Sequence, residues 1–296
     1  MAVKRFTNKK NERIHAYVFI APFFILFMVF QLYPLIWSFV LSFFSWNGLG
    51  TRTFIGIGNY RQILRDGMFW TSLYNTVWYT FANIICVLPL AFILAQGLCS
   101  NAVWAPKSVK TLLVLPYVTA TVAAGIAFTM LFDTRIGVIN AFIQFFGGNA
   151  VPWLTSMQWS KVPVALLSIW RNIPWYMLIL VAALLSVDRQ LYEAARIDGA
   201  NTMQKIFKIT LPMIAPVMFF CVINLTIDSA RTFTEPYVLT GGGPGSSSLS
   251  VVHYLYINAF SMFKLGYAST VGYVLMFFLV VVSVVYFRNL KNRSGA

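Results

Sequence analysis

An all-helical membrane protein with six spans is the fold this sequence predicts, and three observations predict it. Of the 296 residues, 59% are hydrophobic and only 10% charged, with a mean hydropathy of +0.73; a soluble domain carries about a quarter charged residues. Six apolar runs lie at 17–44, 73–99, 109–132, 162–185, 213–232 and 267–287. Each reaches the roughly 20 residues that cross a ~30 Å hydrocarbon core at about 1.5 Å per residue. The net charge of +14 is scattered in short basic clusters beside those runs. That distribution suits topology signals and anionic lipid heads, not a nucleic-acid-binding face.

The first element is a basic segment, residues 1–16, holding Lys4, Arg5, Lys9, Lys10 and Arg13. The apolar run behind it is longer than the ~7–15 residues of a cleavable signal core and lacks a small-residue cleavage site. It reads as an uncleaved first span, kinked or tilted around Pro34. Six spans then put both termini on one side. Segments assigned to the cytoplasm hold those five residues with Lys107, Lys110, Arg189, Arg196, Lys205, Lys208, Arg288, Lys291 and Arg293. External segments hold Arg52, Arg61, Arg65, Arg135, Lys161 and Lys264, fewer than half as many. The positive-inside rule therefore keeps both termini cytoplasmic, with a transmembrane domain over 17–287 and a basic tail over 288–296. Outside, Trp70 and Trp78 suit interface anchors. GGNAVPWLTSMQWS and VLTGGGPGSSS read as turn-rich connections, and the latter is no phosphate cradle because no Lys-Ser/Thr follows its glycines.

Chemistry-bearing residues are few. Cys86, Cys99 and Cys221 fall in or beside apolar runs, and His15 and His253 are isolated. No metal-ligand spacing, carboxylate cluster or Ser-His arrangement suggests an enzyme or a metal site. A Walker A pattern is absent, so the chain has no nucleotide-binding motif of its own. Polar side chains inside spans are the informative ones, since ionisable groups at that depth are costly and face a cavity or a partner. Ser168, Arg171, Asn172 and Trp175 share one helical face. Asp228, Arg231, Thr232 and Glu235 repeat the spacing, with Asn224 one turn earlier and Ser229 alongside. A structural role is the competing reading, with Arg171 and Asp228 paired to each other or to another subunit. Asp228, Arg171 and Glu235 also suit the proton relay of an ion-gradient-driven secondary transporter, although no clear internal repeat accompanies them.

Between the fourth and fifth runs lies a polar segment, LYEAARIDGANTMQKIFKITLP, from Leu191 to Pro212. Leu191, Ala195, Met203 and Ile206 fit a helix interrupted at Asp198-Gly199, where glycine joins two short helices at a bend. Pro212 marks the return to the membrane.

Glu193, Ala194, Ala195 and Gly199 followed by Ile209, Leu211 and Pro212 resemble the EAA loop of ABC importer permeases. FIGIGNYRQIL, VLPYV, YVLTGGGPG and LGYAST extend the resemblance over most of residues 17–290. The chain is similar to the carbohydrate-type permeases of binding-protein-dependent importers, the group of maltose, lactose, multiple-sugar and glycerol-phosphate systems. It matches the first-subunit type, although the extra N-terminal span and large external insertion of the maltose system's larger permease are absent. The resemblance implies a type I ABC importer permease fold in a prokaryotic inner membrane, with a cytoplasmic coupling helix within 188–212. It implies that Glu193, Ala194, Ala195, Asp198, Gly199 and Ala200 meet an ABC ATPase dimer, which binds ATP and Mg. It also implies a second permease subunit, an extracytoplasmic solute-binding protein, and a sugar path along Ser168, Arg171, Asn172, Trp175, Asp228, Ser229 and Thr232.

Overall fold

The computed structural model describes residues 9–99 and 107–294, with side chains over 17–99 and 111–288. The basic side chains expected at 1–16, at Lys107 and Lys110, and at Lys291 and Arg293 lie outside the described residues. The chain divides into two compact units, 1–65 with 256–274 and 66–255 with 275–296.

The first unit opens with α1 (Lys9–Phe27), a π-helical turn at Met28–Leu32, and α2 (Tyr33–Leu41). Pro34 stands in the first turn of α2. Proline offers no N–H and its ring crowds the carbonyl four residues back. The wider turn absorbs that conflict, with the Tyr33 N–H bonding to the Met28 carbonyl five residues back. The kink expected at Pro34 is thus a π turn just before it. The apolar span Tyr17–Leu41 buries nothing of its most apolar eighteen-residue stretch inside the chain.

Strands β1 (Phe44–Ser45) and β2 (Thr53–Phe54) pair antiparallel, a small exception to the all-α expectation. Helix α3 (Gly58–Arg65) follows. Its Asn59 explains the GNY motif: the buried amide donates to the carbonyls of Ser42 (2.9 Å) and Phe44 (3.0 Å). The start of the last helix belongs here too. At Gly266 a Cβ would fall 1.9 Å from the Phe44 carbonyl oxygen, so only glycine permits this approach.

The second unit carries α4 (Gly67–Cys99), α5 (Lys107–Val118), α6 (Thr121–Leu131), α7 (Val138–Phe145), α8 (Lys161–Leu185), α9 (Arg189–Ile197), α10 (Thr202–Lys205) and α11 (Leu211–Ala230). Short helices α12 (Thr234–Thr240) and α13 (Val251–Tyr256) follow, and α14 (Leu265–Ser294) completes the chain, entering this unit from Leu275. Among the described residues five helices are long and apolar enough to cross a membrane, or up to six with a bent pair as one span. That pair lies within the third run expected at 109–132, where Thr111–Val118 and Thr121–Leu131 meet at 100°. The break falls where Ala120 takes an extended ψ of 125°.

α8 packs chiefly along α4, and α11 packs against both. Val87, Ala91 and Ala95 of α4, Val164, Leu167, Tyr176 and Leu180 of α8, and Cys221 and Leu225 of α11 are fully buried. The alanines recur every four residues on one face of α4, which lets the helices approach closely. In lipid such packing holds helices together by dispersion contacts, because the surrounding acyl chains are as apolar as the side chains.

Candidate functional site

Two regions of the second unit carry the candidate residues, and α8 and α11 run between them. The first is the bend. Asp188 caps α9 by accepting the Gln190 N–H at 2.9 Å. At the far end Gly199 takes φ +77°. The N–H of Ala200 bonds to the Ala195 carbonyl (2.9 Å) and that of Gly199 to Arg196 (3.2 Å), the paired bonds of a left-handed helix stop. Asn201 then starts α10 with a reciprocal cap: it accepts the Gln204 N–H, and the Gln204 side chain accepts its own N–H, both at 2.8 Å.

The interruption expected at Gly199 is therefore a helix stop abutting a helix start. Glu193, Ala194, Asp198 and Gly199 are exposed, and Ala195 and Ala200 half-buried. Ile197 is 88% exposed, an apolar side chain with little cover among the described residues. Tyr192 and Thr210 share a 2.9 Å hydroxyl hydrogen bond that ties α9 to the foot of α11. A second π turn, Ile206–Thr210, precedes Pro212 as the first precedes Pro34. Here the long helix begins at Thr202 and passes through Pro212 without stopping.

The second region is a polar pocket of about 220 Å³. Ser168, Arg171 and Asn172 line it from α8, Asp228 from α11, and Arg231, Thr232, Phe233, Thr234 and Glu235 from the turn and α12. Five of the seven expected path residues thus meet in one cavity. Trp175 and Ser229 do not line it. Trp175 stacks on Tyr117, with ring centroids 5.1 Å apart and planes within 15°; Ser229 is buried and its hydroxyl has no partner.

Two further expectations need correction. Asp228, Arg231, Thr232 and Glu235 are not one helical stripe, because α11 stops at Ala230 and Glu235 arrives from α12. Asn224 spends its amide on the Phe220 carbonyl at 2.9 Å. Arg171 and Asp228 do not pair with each other. Arg171 Nη1 lies 3.5 Å from Glu235 Oε1, while Asp228 accepts the Tyr176 hydroxyl at 3.2 Å. Arg171 Nε is buried without a partner. Asn83 and Tyr176, which support this wall, escaped the sequence reading. The signal was there: Tyr176 lies one turn beyond Asn172 on the stripe already singled out, and Asn83 follows Thr76 and Thr80 at helical spacing.

A larger cavity of about 460 Å³ lies among α4, α11 and α14. Its threonines are spent on their own helices: Thr76, Thr80 and Thr226 each donate to the carbonyl four residues back. Apart from the Tyr286 hydroxyl it offers aliphatic and aromatic surface, which suits acyl chains and gives a polar solute little to bond.

Just past the end of α6, Asp133 is half-buried and its carboxyl is held below the usual range by the backbone N–H groups of Ile136 and Arg135. Among the described residues no group of three or more His, Cys, Asp or Glu side chains is placed to hold a metal ion.

Comparison with known proteins agrees with this fold. The chain is 36% identical over 277 residues to the arabinooligosaccharides transport system permease protein AraP of Bacillus subtilis (strain 168), covering 93% of this chain and 88% of that one. It is 34% identical over 295 residues to the lactose transport system permease protein LacF of Rhizobium radiobacter, covering 98% of both. In fold it superposes on a chain of a bacterial alginate ABC transporter, crystallised in complex with an alginate pentasaccharide-bound periplasmic protein. The TM-score is 0.80 at 20% identity, over 96% of each chain. Nothing in these likenesses favours an ion-gradient-driven carrier. Residues 88–293 match the family described as binding-protein-dependent transport system inner membrane component, and the chain belongs to that family.

Proposed function

We propose that this chain forms part of the path of an ATP-driven importer for a sugar or sugar-like solute, and that the bend at 188–212 couples it to an ABC ATPase. One observation carries the proposal. The helices that wall the polar pocket, α8 and α11, are the same two that the exposed bend joins. A force on the bend is delivered to both walls, and packed helices switch between discrete arrangements.

Each part has a physical role. The stop at Gly199 and the cap at Asn201 fix the angle between α9 and α10. Ala194 and Ala195 leave room for a groove on the ATPase to close around α9, and Glu193 offers it a charge-assisted hydrogen bond. ATPase closure, with ATP and Mg bound on that partner, pushes α9 and turns α8 and α11 between outward-open and inward-open states. In the pocket, Arg171, Asn172, Asp228 and Thr232 offer donors and acceptors to neighbouring hydroxyls. The named relatives support a sugar-class solute: they are permease proteins of arabinooligosaccharide and lactose transport systems. A second permease subunit completes the path, a solute-binding protein delivers the cargo from outside, and both termini face the cytoplasm with the bend.

Reconstitution of the assembled transporter with its binding protein tests this. Uptake should require ATP on the bend side of the membrane. Asp228→Asn and Arg171→Ala should change apparent affinity in complexes that still assemble. Uptake driven by an ion gradient without ATP would refute the proposal.

A further inference from the structure

Asn83 is fully buried in α4, and it does not line the polar pocket. A buried amide in a membrane span is costly unless its hydrogen bonds are made. Its Nδ2 donates to the Tyr79 carbonyl at 2.9 Å. A carbonyl oxygen only accepts, so the amide orientation is fixed and Oδ1 is left for α8. Oδ1 accepts the Ser168 hydroxyl at 3.1 Å and, more weakly, Asn172 Nδ2 at 3.4 Å. Asn172 Nδ2 also reaches Ser168 Oγ at 3.4 Å.

The consequence falls on the pocket wall. Ser168 has one proton, and it is spent on Asn83, so Ser168 Oγ meets any further group as an acceptor. The Asn172 amide nitrogen is engaged by the same pair, and its Oδ1 accepts nothing among the described residues. We infer that Asn83 is a positioning residue for transport, fixing the α8 wall as a hydrogen-bond acceptor towards solute hydroxyls while Arg171 supplies donors. This rests on the reading of the pocket as the solute path.

The neighbours of Asn83 show why packing alone does not require an asparagine. Thr76 and Thr80 of the same helix satisfy their polarity by donating to their own backbone. A threonine at 83 would do the same towards Tyr79 yet fall short of Ser168. The variants are therefore N83T, which preserves the local backbone bond, N83L, S168A and the N83T/S168A double.

Apparent KM and Vmax would be measured in proteoliposomes of the complete transporter. The labelled probe is whichever of lactose, maltose, arabinobiose and glycerol 3-phosphate the wild type takes up fastest. N83T, N83L and S168A should each raise KM about threefold to tenfold with Vmax within about twofold, the scale of one lost hydrogen bond. The double variant should be no worse than S168A alone, because Asn83 acts through Ser168. If S168A raises KM and N83T does not, the inference fails and the pocket reading survives. If neither moves KM, both fail. Loss of assembly or of Vmax alone in N83T, or additive effects in the double, would mark Asn83 as a packing residue and overturn the inference.

Discussion

Arg171 of α8 and Glu235 of α12, 64 positions apart in the chain, face each other at 3.5 Å across the polar pocket. Their side chains are 22% and 12% exposed, so each charge leans on the other more than on solvent. Removing one partner strands the other, whereas removing both does not.

That asymmetry gives the first prediction. R171M and E235M alone should each lower the thermal stability of the purified complex, by about 1–3 kcal/mol given the partial exposure. The double variant should be less destabilised than either single, though it loses solute affinity. Additive losses in a double-mutant cycle on unfolding midpoints would show that the pair is not coupled.

The second prediction concerns the contact between α6 and α12. A Cβ at Gly125 would lie 2.8 Å from Val238 Cγ1 and 3.2 Å from its Cβ, closer than packed atoms allow. Gly125→Val should force α12 away, cost roughly 1–3 kcal/mol of overpacking, and disturb Glu235 on the same helix. Val238→Ala should recover part of the loss, read as unfolding temperature and as uptake.

A third follows from Asn140. Its buried side chain donates to the Val151 carbonyl (2.9 Å) and accepts both the Val151 N–H and Trp153 Nε1–H (each 3.0 Å). This one residue clips α7 to the segment before α8. Asn140→Ala should destabilise by about 1–3 kcal/mol, and limited proteolysis should then cut between 146 and 160 faster than in the wild type. Unchanged cleavage would remove the clip from the account.

Much of this architecture was legible because lipid imposes strong rules. Apolar runs long enough to span gave the helices, and Gly199 after a charged amphipathic segment gave the bend. Pro34 gave the place of a distortion but not its kind, since a π turn depends on how the helix absorbs the missing N–H. The break at 119–120 carries no glycine, and the fold-back of α12 depends on the fit of Val238 against Gly125. Periodicity extended the 224–235 stripe past the true end of α11, so it found the residues of the pocket while misjudging how they are joined. The roles of Asn83 and Asn140 could not be read because their partners, Ser168 and Val151 with Trp153, are brought to them only by the fold.

A fourth prediction concerns pH. His253 is buried against the rings of Phe233 and Tyr237, at 5.6 and 5.4 Å, and its Nδ1 has no partner. Burial holds its pKa below the ordinary value, so the folded state keeps it neutral while the unfolded chain titrates near ~6.5. Its contribution to stability is full above that value and is lost as the pH falls through the lower folded pKa. The unfolding temperature should therefore drop as the pH falls below about 6.5, and His253→Phe should flatten that slope. An unchanged slope in the variant would assign the acid sensitivity elsewhere.

The central claim is that the exposed bend is driven by a separate ATP-hydrolysing subunit. Gly199→Asp tests it most directly, with ATP hydrolysis and uptake measured side by side in the same reconstituted transporter. Space is not the obstacle, since a Cβ there meets nothing within 4 Å. The φ of +77° and the added charge on the proposed docking surface are. The variant should assemble in the membrane, lose uptake at least tenfold, and leave ATP hydrolysis no longer stimulated by the loaded binding protein. Wild-type uptake with normally stimulated hydrolysis would contradict the claim.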